Sequence, residues 1–586
     1  MKLLRNILIG TLAVLVIGWL GLQLFYYSLA LDTPEVPALS LDENSVSVEN
    51  GIRKLGGSWY CQNKYGLWEA YIEGAAYERG RTFGLLAEEQ IVSQEESFVA
   101  QIRKLIPSEW FLKTLKYGVV FFNRNLDEHV SDELKQEVYG VSQSFADEYD
   151  FIGDKYSRIL NYHAAHDIGH ALQDLSIVGC TSFAVWNQYS TDSSLIVGRN
   201  FDFYMGDEFA KDKIVLFMKP DSGYAFASIT WAGFMGVVSG MNEHGLTVTL
   251  NAAKSAIPSG AKTPISILAR EILQYARTIE EAYAIAKSRE TFVSESILVA
   301  SADDHAAAII EKSPDRIGIY RPSDSRLTCA NHYQSETFKN DSINIKNILD
   351  SDSEYRFKRL NQLLEANFPI NPIESVEILR NQKGMNNAEL GMGNPKAINQ
   401  LLAHHSIVFQ PEKRLLWIST NPFQLGEFLC YDLKEVFGTK GVRSEELDVR
   451  MAESSDQKPQ TTNVYGGSAR PSSLVPRPLF TDSLTIPSDA FLASNSYQSF
   501  LRYKELKNRL FDNIALGKEI EWNARLEDEF IKTNPESYVT YFMLGDYYLE
   551  RDNFGKAKSY YELSLSKEVA SEQERNKIKE NLKSCH

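Results

Sequence analysis

At Gly179 the hydrophobic pattern of this chain changes period, and that change limits what the chain can fold into. Before it, runs such as "FVAQIRKLIP" and "ELKQEVYGVSQSFADEY" carry apolar residues every three or four positions, the spacing of a helix with one buried face. After it, "TSFAVWNQ", "SLIVGRNFDFY", "KIVLFMKP" and "YAFASITWAGF" are short β-rich runs divided by turn residues. "VVSGMNEHGLTVTLNAA" reads as a hairpin turning at Asn242–Gly245, and helices are expected at "PISILAREILQYA" and "TIEEAYAIAKS". Further strands are expected at "SILVASAD", "AAAIIEKSPDRIGIYRP" and "HSIVFQPEKRLLWIST". Strands, then helices, then strands point to an α+β class with stacked layers rather than a simple alternation.

The residue at the junction is Cys180, the first position of the first strand, directly behind a glycine. A lone cysteine is usually a small buried hydrophobe. The chain's five cysteines, Cys61, Cys180, Cys329, Cys430 and Cys585, are scattered without a CxxC pair, which argues against a zinc ribbon or a disulfide-dense scaffold. At a Gly-Cys bond, however, the thiol can attack the carbonyl of residue 179 and shift the acyl group from nitrogen to sulfur. Glycine is expected there because the backbone must be strained for the shift. Hydrolysis of the thioester then frees the α-amine of Cys180. An α-amine titrates at roughly 8, so it can act as general base for its own thiol. Nucleophile and base become one residue.

Downstream come Arg199 and Asp202 in "VGRNFDF", Asn251 in "GMNEHGLTVTLNA", Asn331 in "TCANHYQ" and Arg356 in "SEYRFKRL". In this order, and with "EGAAYERGRTFGLL" (73–86) ahead of the cysteine, the segments resemble the cysteine N-terminal-nucleophile hydrolases. The closer likeness is to the autoproteolytic acyltransferase/hydrolase family (peptidase C45) typified by isopenicillin-N acyltransferase. Choloylglycine hydrolases and penicillin V acylases are more distant relatives. The resemblance runs to about residue 435. It implies a four-layer α-β-β-α sandwich of the N-terminal-nucleophile type, self-cleavage between Gly179 and Cys180, and no cofactor. The implied reaction is transfer of an acyl group from an amide or thioester to Cys180, then to water or an amine. The substrate would be a small molecule with an acyl chain and a polar head. Asp202 would hold the freed amine. Arg199 would steady Asp202, bind an anionic part of the substrate, or form a structural ion pair. Asn251 matches the position where relatives build an oxyanion hole, Asn331 another polar position of the family, and Arg356 its late arginine near the nucleophile.

The remaining segments divide the chain. Residues 1–30, "MKLLRNILIGTLAVLVIGWLGLQLFYYSLA", read as a signal anchor or signal peptide, with Lys2 and Arg5 ahead of an apolar run. That places the catalytic part outside the cytoplasm: membrane-anchored, or secreted if the signal is cleaved at Ser28–Ala30. Residues 31–55 read as a tether, 56–179 as a helical propeptide-like region, 180–451 as the hydrolase core and 452–485 as a Ser/Pro/Gly-rich linker. Residues 486–586 read as a helical module, with Tyr541, Leu544, Gly545, Tyr548, Ala557 and Tyr561 at tetratricopeptide spacing, a surface for a protein partner. A net charge of −16 without a basic block argues against nucleic acid. Two other classes stand beside the hydrolase: a non-catalytic membrane-tethered scaffold using that tail, and a zinc enzyme using His163, His166 and His170 of "NYHAAHDIGH". The glutamate of an HExxH site is missing there, so these histidines read first as a packed helix face.

Overall fold

The computed structural model describes residues 2–29, 31–106, 108–171, 179–256, 260–438 and 479–585; the side chains of residues 2–9, 12, 13, 15, 105, 109 and 165–171 lie outside the description. Ahead of Gly179 the chain forms α1 (Lys2–Ser28), then β1 (Ser47–Glu49), β2 (Ile52–Leu55), β3 (Ser58–Gln62) and β4 (Trp68–Gly74). Five helices follow: α2 (Ala76–Leu86), α3 (Glu88–Leu105), α4 (Glu109–Asn123), α5 (Asp132–Ser142) and α6 (Lys155–Ala171). Beyond Cys180 come β5 (Thr181–Asn187), β6 (Ser193–Phe201), the short α7 (Asp207–Lys211), β7 (Ile214–Pro220), β8 (Phe226–Thr230), β9 (Ser239–Asn242) and β10 (Leu246–Ala252). Next are α8 (Ile265–Tyr275), α9 (Ile279–Ser288), β11 (Glu295–Ser301), β12 (Ala306–Lys312), β13 (Ile317–Tyr320) and β14 (Arg326–Cys329). The body closes with α10 (Ser342–Asp350), α11 (Ser353–Asn367), α12 (Pro372–Leu379), β15 (His405–Gln410), β16 (Leu415–Ser419), β17 (Phe428–Asp432) and α13 (Leu433–Gly438). Helices α9 and α12 begin where their sequences carry capping boxes, Thr278 with Glu281 and Asn371 with Glu374.

The strands form two sheets, one ordered β1-β2-β3-β4-β7-β8-β9-β10-β11-β12-β13 and the other β14-β5-β6-β15-β16-β17. Side chains on a strand alternate between faces, and here both faces are covered. Along β7, Ile214, Leu216 and Met218 pack with helix residues such as Leu86, Val138 and Ile272, while Val215 and Phe217 pack against the second sheet. In the second sheet Ala184 and Val197 face inward, while Phe183, Val185 and Ile196 face Leu360 and Leu364 of α11 and Val376 of α12. The result is helix, sheet, sheet, helix: the four layers expected. Burial on both faces is why the strand runs read as nearly continuous apolar stretches.

Two expectations change. The stretch taken as tether and helical propeptide contributes four strands between residues 47 and 74 before its helices begin. β4 pairs in parallel with β7, from Trp68 opposite Ile214 to Gly74 opposite Pro220. A parallel neighbour so distant in sequence leaves no hairpin signal between the partners. The second change concerns α1. Its end rests on α4, with Gln23 Nε2 donating to Tyr117 at 2.6 Å and Phe25 stacked on Phe121. Among the described residues no helix is long and apolar enough to cross a membrane. Most of the expected linker, residues 452–478, lies outside the described residues.

The C-terminal stretch is helical as expected, with helices at Asn495–Leu516, Ala524–Thr533, Tyr538–Leu549, Phe554–Leu565 and Glu572–Lys583. Gly545 lies against the Tyr561 ring, where an added Cβ would come within 2.4 Å, which accounts for that pair in the sequence. The tetratricopeptide label goes further than one packed helix pair supports.

Residues on the two sides of Gly179 are knit together by a buried ionic cluster. Arg79 Nη2 lies 2.6 Å from Glu137 and 2.7 Å from Glu133, both upstream of Gly179, while Arg270 from α8 reaches Glu137 at 3.4 Å and Gln274 donates to Glu133 at 2.9 Å. Removing one member of a buried pair strands the other charge, at a cost of about 3–5 kcal/mol. Glu137→Ala should therefore lower unfolding free energy by about that amount in denaturant titrations; a loss within experimental error would contradict the role given to this cluster.

Candidate active site

Cys180 sits just ahead of β5, and the pairing of β5 with β6 brings it to its partners. Thr181 lies opposite Asn200 and Ser182 opposite Arg199, so the far end of β6 passes beside the Gly179–Cys180 bond. The Gly179 amide donates to the backbone carbonyl of Asp202 at 3.0 Å. Arg199 Nη2 stands 3.7 Å from Cys180 Sγ, and its other hydrogen bonds go to the carbonyls of Val238 and Leu250 and to Ser239 Oγ. Arg199 is thus spent on backbone and thiol. Ser239 also bonds His405 Nε2 at 2.8 Å, and His405 Nδ1 meets His404 Nδ1 at 2.9 Å. Burial holds both imidazoles well below their ordinary pKa, so they brace the arginine as neutral rings.

Arg356 reaches in from α11. Its Nη1 donates to the Cys180 carbonyl at 2.7 Å and to Thr181 Oγ1 at 2.9 Å; its Nη2 donates to Asn331 Oδ1 at 2.7 Å and Asp352 Oδ1 at 2.9 Å. Asn331 in turn donates to the Ala252 carbonyl at 2.9 Å. Asn251 accepts from Ser182 Oγ at 2.7 Å and donates to the Cys329 carbonyl at 3.4 Å. Cys180, Arg199, Asn331 and Arg356 are therefore gathered by direct contacts, Asp202 joins through Gly179, and Asn251 through Ser182.

The site is buried, and burial sets its charges. Cys180 is 1% exposed, and removal from water pushes its thiol up to about 11, against the opposing pull of Arg199. Burial likewise raises the Asp202 carboxyl to about 8, with Arg356 and Arg199 pulling the other way. Asp202 Oδ1 has no hydrogen-bond partner among the described residues. An empty acceptor this deep is costly unless something arrives to fill it.

One residue of the site carries no sequence signal that would single it out. Gln400, in the connection between α12 and β15, donates from Nε2 to the Gly179 carbonyl at 2.9 Å and to Asp202 Oδ2 at 3.3 Å. Its amide also explains the glycine. A Cβ on residue 179 would lie 2.7 Å from Gln400 Nε2, so a larger residue there would displace that amide; the left-handed backbone conformation that would mark strain is not present at Gly179.

The histidine cluster does not make a metal site with His163. Its Nδ1 bonds the Ile159 carbonyl at 2.8 Å and its Nε2 accepts from the Met235 amide at 2.8 Å, which occupies both ring nitrogens. The ring packs on Phe234. The side chains of His166 and His170 lie outside the described residues. Among the described residues no group of three potential ligands gathers around a common point.

Residues 186–423 match the sequence model of the acyl-coenzyme A:6-aminopenicillanic acid acyl-transferase family, so the family resemblance read from the ordered motifs is found over that stretch. The match starts after Cys180. An uncharacterized protein of Archaeoglobus fulgidus is 23% identical over 337 residues, 51% of this chain and 55% of that protein. The N-acylethanolamine-hydrolyzing acid amidase of Caenorhabditis elegans is 24% identical over 225 residues, 37% of this chain and 59% of that protein. The chain thus spans little more than half the length of these relatives. A conjugated bile acid hydrolase from Clostridium perfringens superposes with a TM-score of 0.31 at 14% identity, over 44% of this chain and 93% of that one.

The raised Asp202 carboxyl has a measurable signature. Folded, it keeps its proton up to about 8; unfolded, it releases it in the ordinary carboxylate range. Between those limits the folded chain binds more protons, so this residue's contribution to stability falls as pH rises. In a Cys180→Ala background, Asp202→Asn should therefore raise Tm progressively more from about pH 4 to about pH 8. A Tm difference that stays constant across that window would contradict the assignment.

Proposed function

We propose that this chain is a self-processing cysteine amidohydrolase or acyltransferase whose working nucleophile is the N-terminal Cys180 released by scission after Gly179. The observation that carries the reading is the buried Asp202 carboxyl: one oxygen takes the Gln400 amide that also holds the Gly179 carbonyl, and the other has no hydrogen-bond partner among the described residues. Scission frees the α-amine of Cys180 within this buried site, and Asp202 can hold the ammonium that forms when that amine takes up a proton. The amine then has an acceptor, and the carboxylate has a reason to ionise. In the mature site the free amine takes the thiol proton as the sulfur attacks an acyl carbonyl. A thioester forms on Cys180, the departing amine of the substrate takes up the proton, and water or a second amine releases the acyl group. Arg199, 3.7 Å from the sulfur, stabilises developing thiolate. The matched family and the activity for which the amidase relative is named support amide chemistry.

The acyl group has an apolar recess to enter. Phe203, directly after Asp202, lines it together with Phe209 and Trp231; Phe98, Phe145 and Tyr162 line it from upstream of Gly179, with Gln94 and Glu95 as its polar members. Both sides of the cut bond therefore shape the pocket, and the upstream fragment stays with the enzyme. Such aromatic walls suit a hydrocarbon chain or aromatic acyl group.

The test is a panel of N-acyl amides with acyl groups of different length, followed by acid quench and mass measurement of the fragment starting at Cys180. The expected result is a mass increase of one acyl group, removable by hydroxylamine, with Cys180→Ala lowering turnover on the order of 10⁴-fold or more. Turnover that survives Cys180→Ala would overturn the reading.

A further inference from the structure

The chemistry above requires the chain to cut itself, and the contacts of the uncut bond indicate what helps it do so. When Cys180 Sγ attacks the Gly179 carbonyl carbon, the C–S bond forms and negative charge gathers on the Gly179 oxygen. Collapse breaks the C–N bond, the thiol proton passes to the departing α-nitrogen of Cys180, and a thioester remains. Water then adds to that thioester, leaving a carboxylic acid on Gly179 and returning a hydrogen to the sulfur. The group already donating to the oxygen that becomes charged is Gln400 Nε2, at 2.9 Å. The same nitrogen is anchored on Asp202 Oδ2, so its N–H groups are aimed before the reaction begins.

Asn399, just before Gln400, is held by Asn381 and Arg380 after α12, and further contacts on its connection come from far along the chain. The residue after Gln400, Leu401, has φ of 53°, the left-handed region that costs a residue with a Cβ. Its side chain is clamped in an apolar cluster of the C-terminal helices, with Phe500, Tyr503, Leu506 and Leu544. Upstream in the same connection, Met392 and Asn534 exchange two hydrogen bonds, at 3.0 Å and 2.9 Å. Asn394 donates to the Glu568 carbonyl at 2.9 Å and Lys396 pairs with the Glu568 carboxylate at 2.5 Å. Gly391 has φ of +79° and passes so close to Ser537 that a Cβ would lie 2.4 Å from its amide nitrogen. The helices beyond residue 494 grip the connection on both sides of Gln400.

We infer that Gln400 is the oxyanion-stabilising catalytic residue of chain scission, and that the C-terminal helices serve as a clamp that positions it. This rests on the self-processing reading. It gives the tail a function within the molecule, with Asn534 as a positioning residue that acts through Gln400.

The experiment follows scission of freshly translated full-length chain by denaturing electrophoresis for the natural sequence, Gln400→Met, Asn534→Ala and the double variant. The natural chain cuts, and Gln400→Met slows scission roughly 10²–10³-fold, the loss expected for one oxyanion donor. Hydroxylamine, which speeds only breakdown of a formed thioester, does not restore the rate. Asn534→Ala slows scission several-fold in the natural chain and has no added effect once Gln400 is Met, the non-additivity of residues acting through one group. Equal melting temperatures of Cys180→Ala with and without Gln400→Met show that the fold is intact. Scission of Gln400→Met at the natural rate, or full rescue by hydroxylamine, overturns the assignment of Gln400. An Asn534→Ala effect that is the same in both backgrounds overturns the clamp. A natural chain that never cuts removes the self-processing reading beneath both.

Discussion

Asp202 is the constraint around which the site is organised. Its backbone carbonyl takes the Gly179 amide, one carboxylate oxygen takes Gln400, and the other has no hydrogen-bond partner among the described residues. A carboxyl buried in this way resists ionisation until a cation forms near it, and the scission proposed for the neighbouring bond supplies the amine that becomes one on taking a proton. The surrounding arginines serve the same geometry: Arg199 ties the thiol to the first sheet through Val238 and Leu250, and Arg356 ties the Cys180 carbonyl to α11. The helices outside the sheets, the clamp around residue 400 and the ionic cluster at Glu137 all bear on holding this one bond and its neighbours in register.

The two sheets explain why a cut chain would remain one object. Residues upstream of Gly179 supply β1 to β4 at the edge of the larger sheet, and β4 lies against β7 over seven paired positions. They also supply part of the aromatic recess and two carboxylates of the buried cluster. Breaking a single peptide link removes none of those contacts. The upstream segment is therefore better described as part of the body than as a leader to be shed.

Much of the layered fold could be read from the residues, because burial leaves a period. The short apolar runs "KIVLFMKP" and "SILVASAD" and the helical spacing of "TIEEAYAIAKS" are local signals, and the elements stand where those signals put them. The strands between residues 47 and 74 were not legible: β4 finds its partner 146 residues away, and nothing local marks a parallel pairing of that kind. Within the site, Cys180, Arg199, Asp202, Asn331 and Arg356 were visible as an ordered set of polar residues, and the structure draws them together. Gln400 was invisible, since a lone amide in a connection has neither period nor motif. Its one trace was indirect, in the glycine at 179 that makes room for it.

The most direct measurement of the central claim is the covalent state of the purified chain, by intact mass and N-terminal sequencing under denaturing conditions. The account predicts two polypeptides, one ending at Gly179 and one beginning with a free α-amine on Cys180, and a single uncut chain when Cys180 is alanine. A fully active protein in which the 179–180 peptide bond is intact would contradict it.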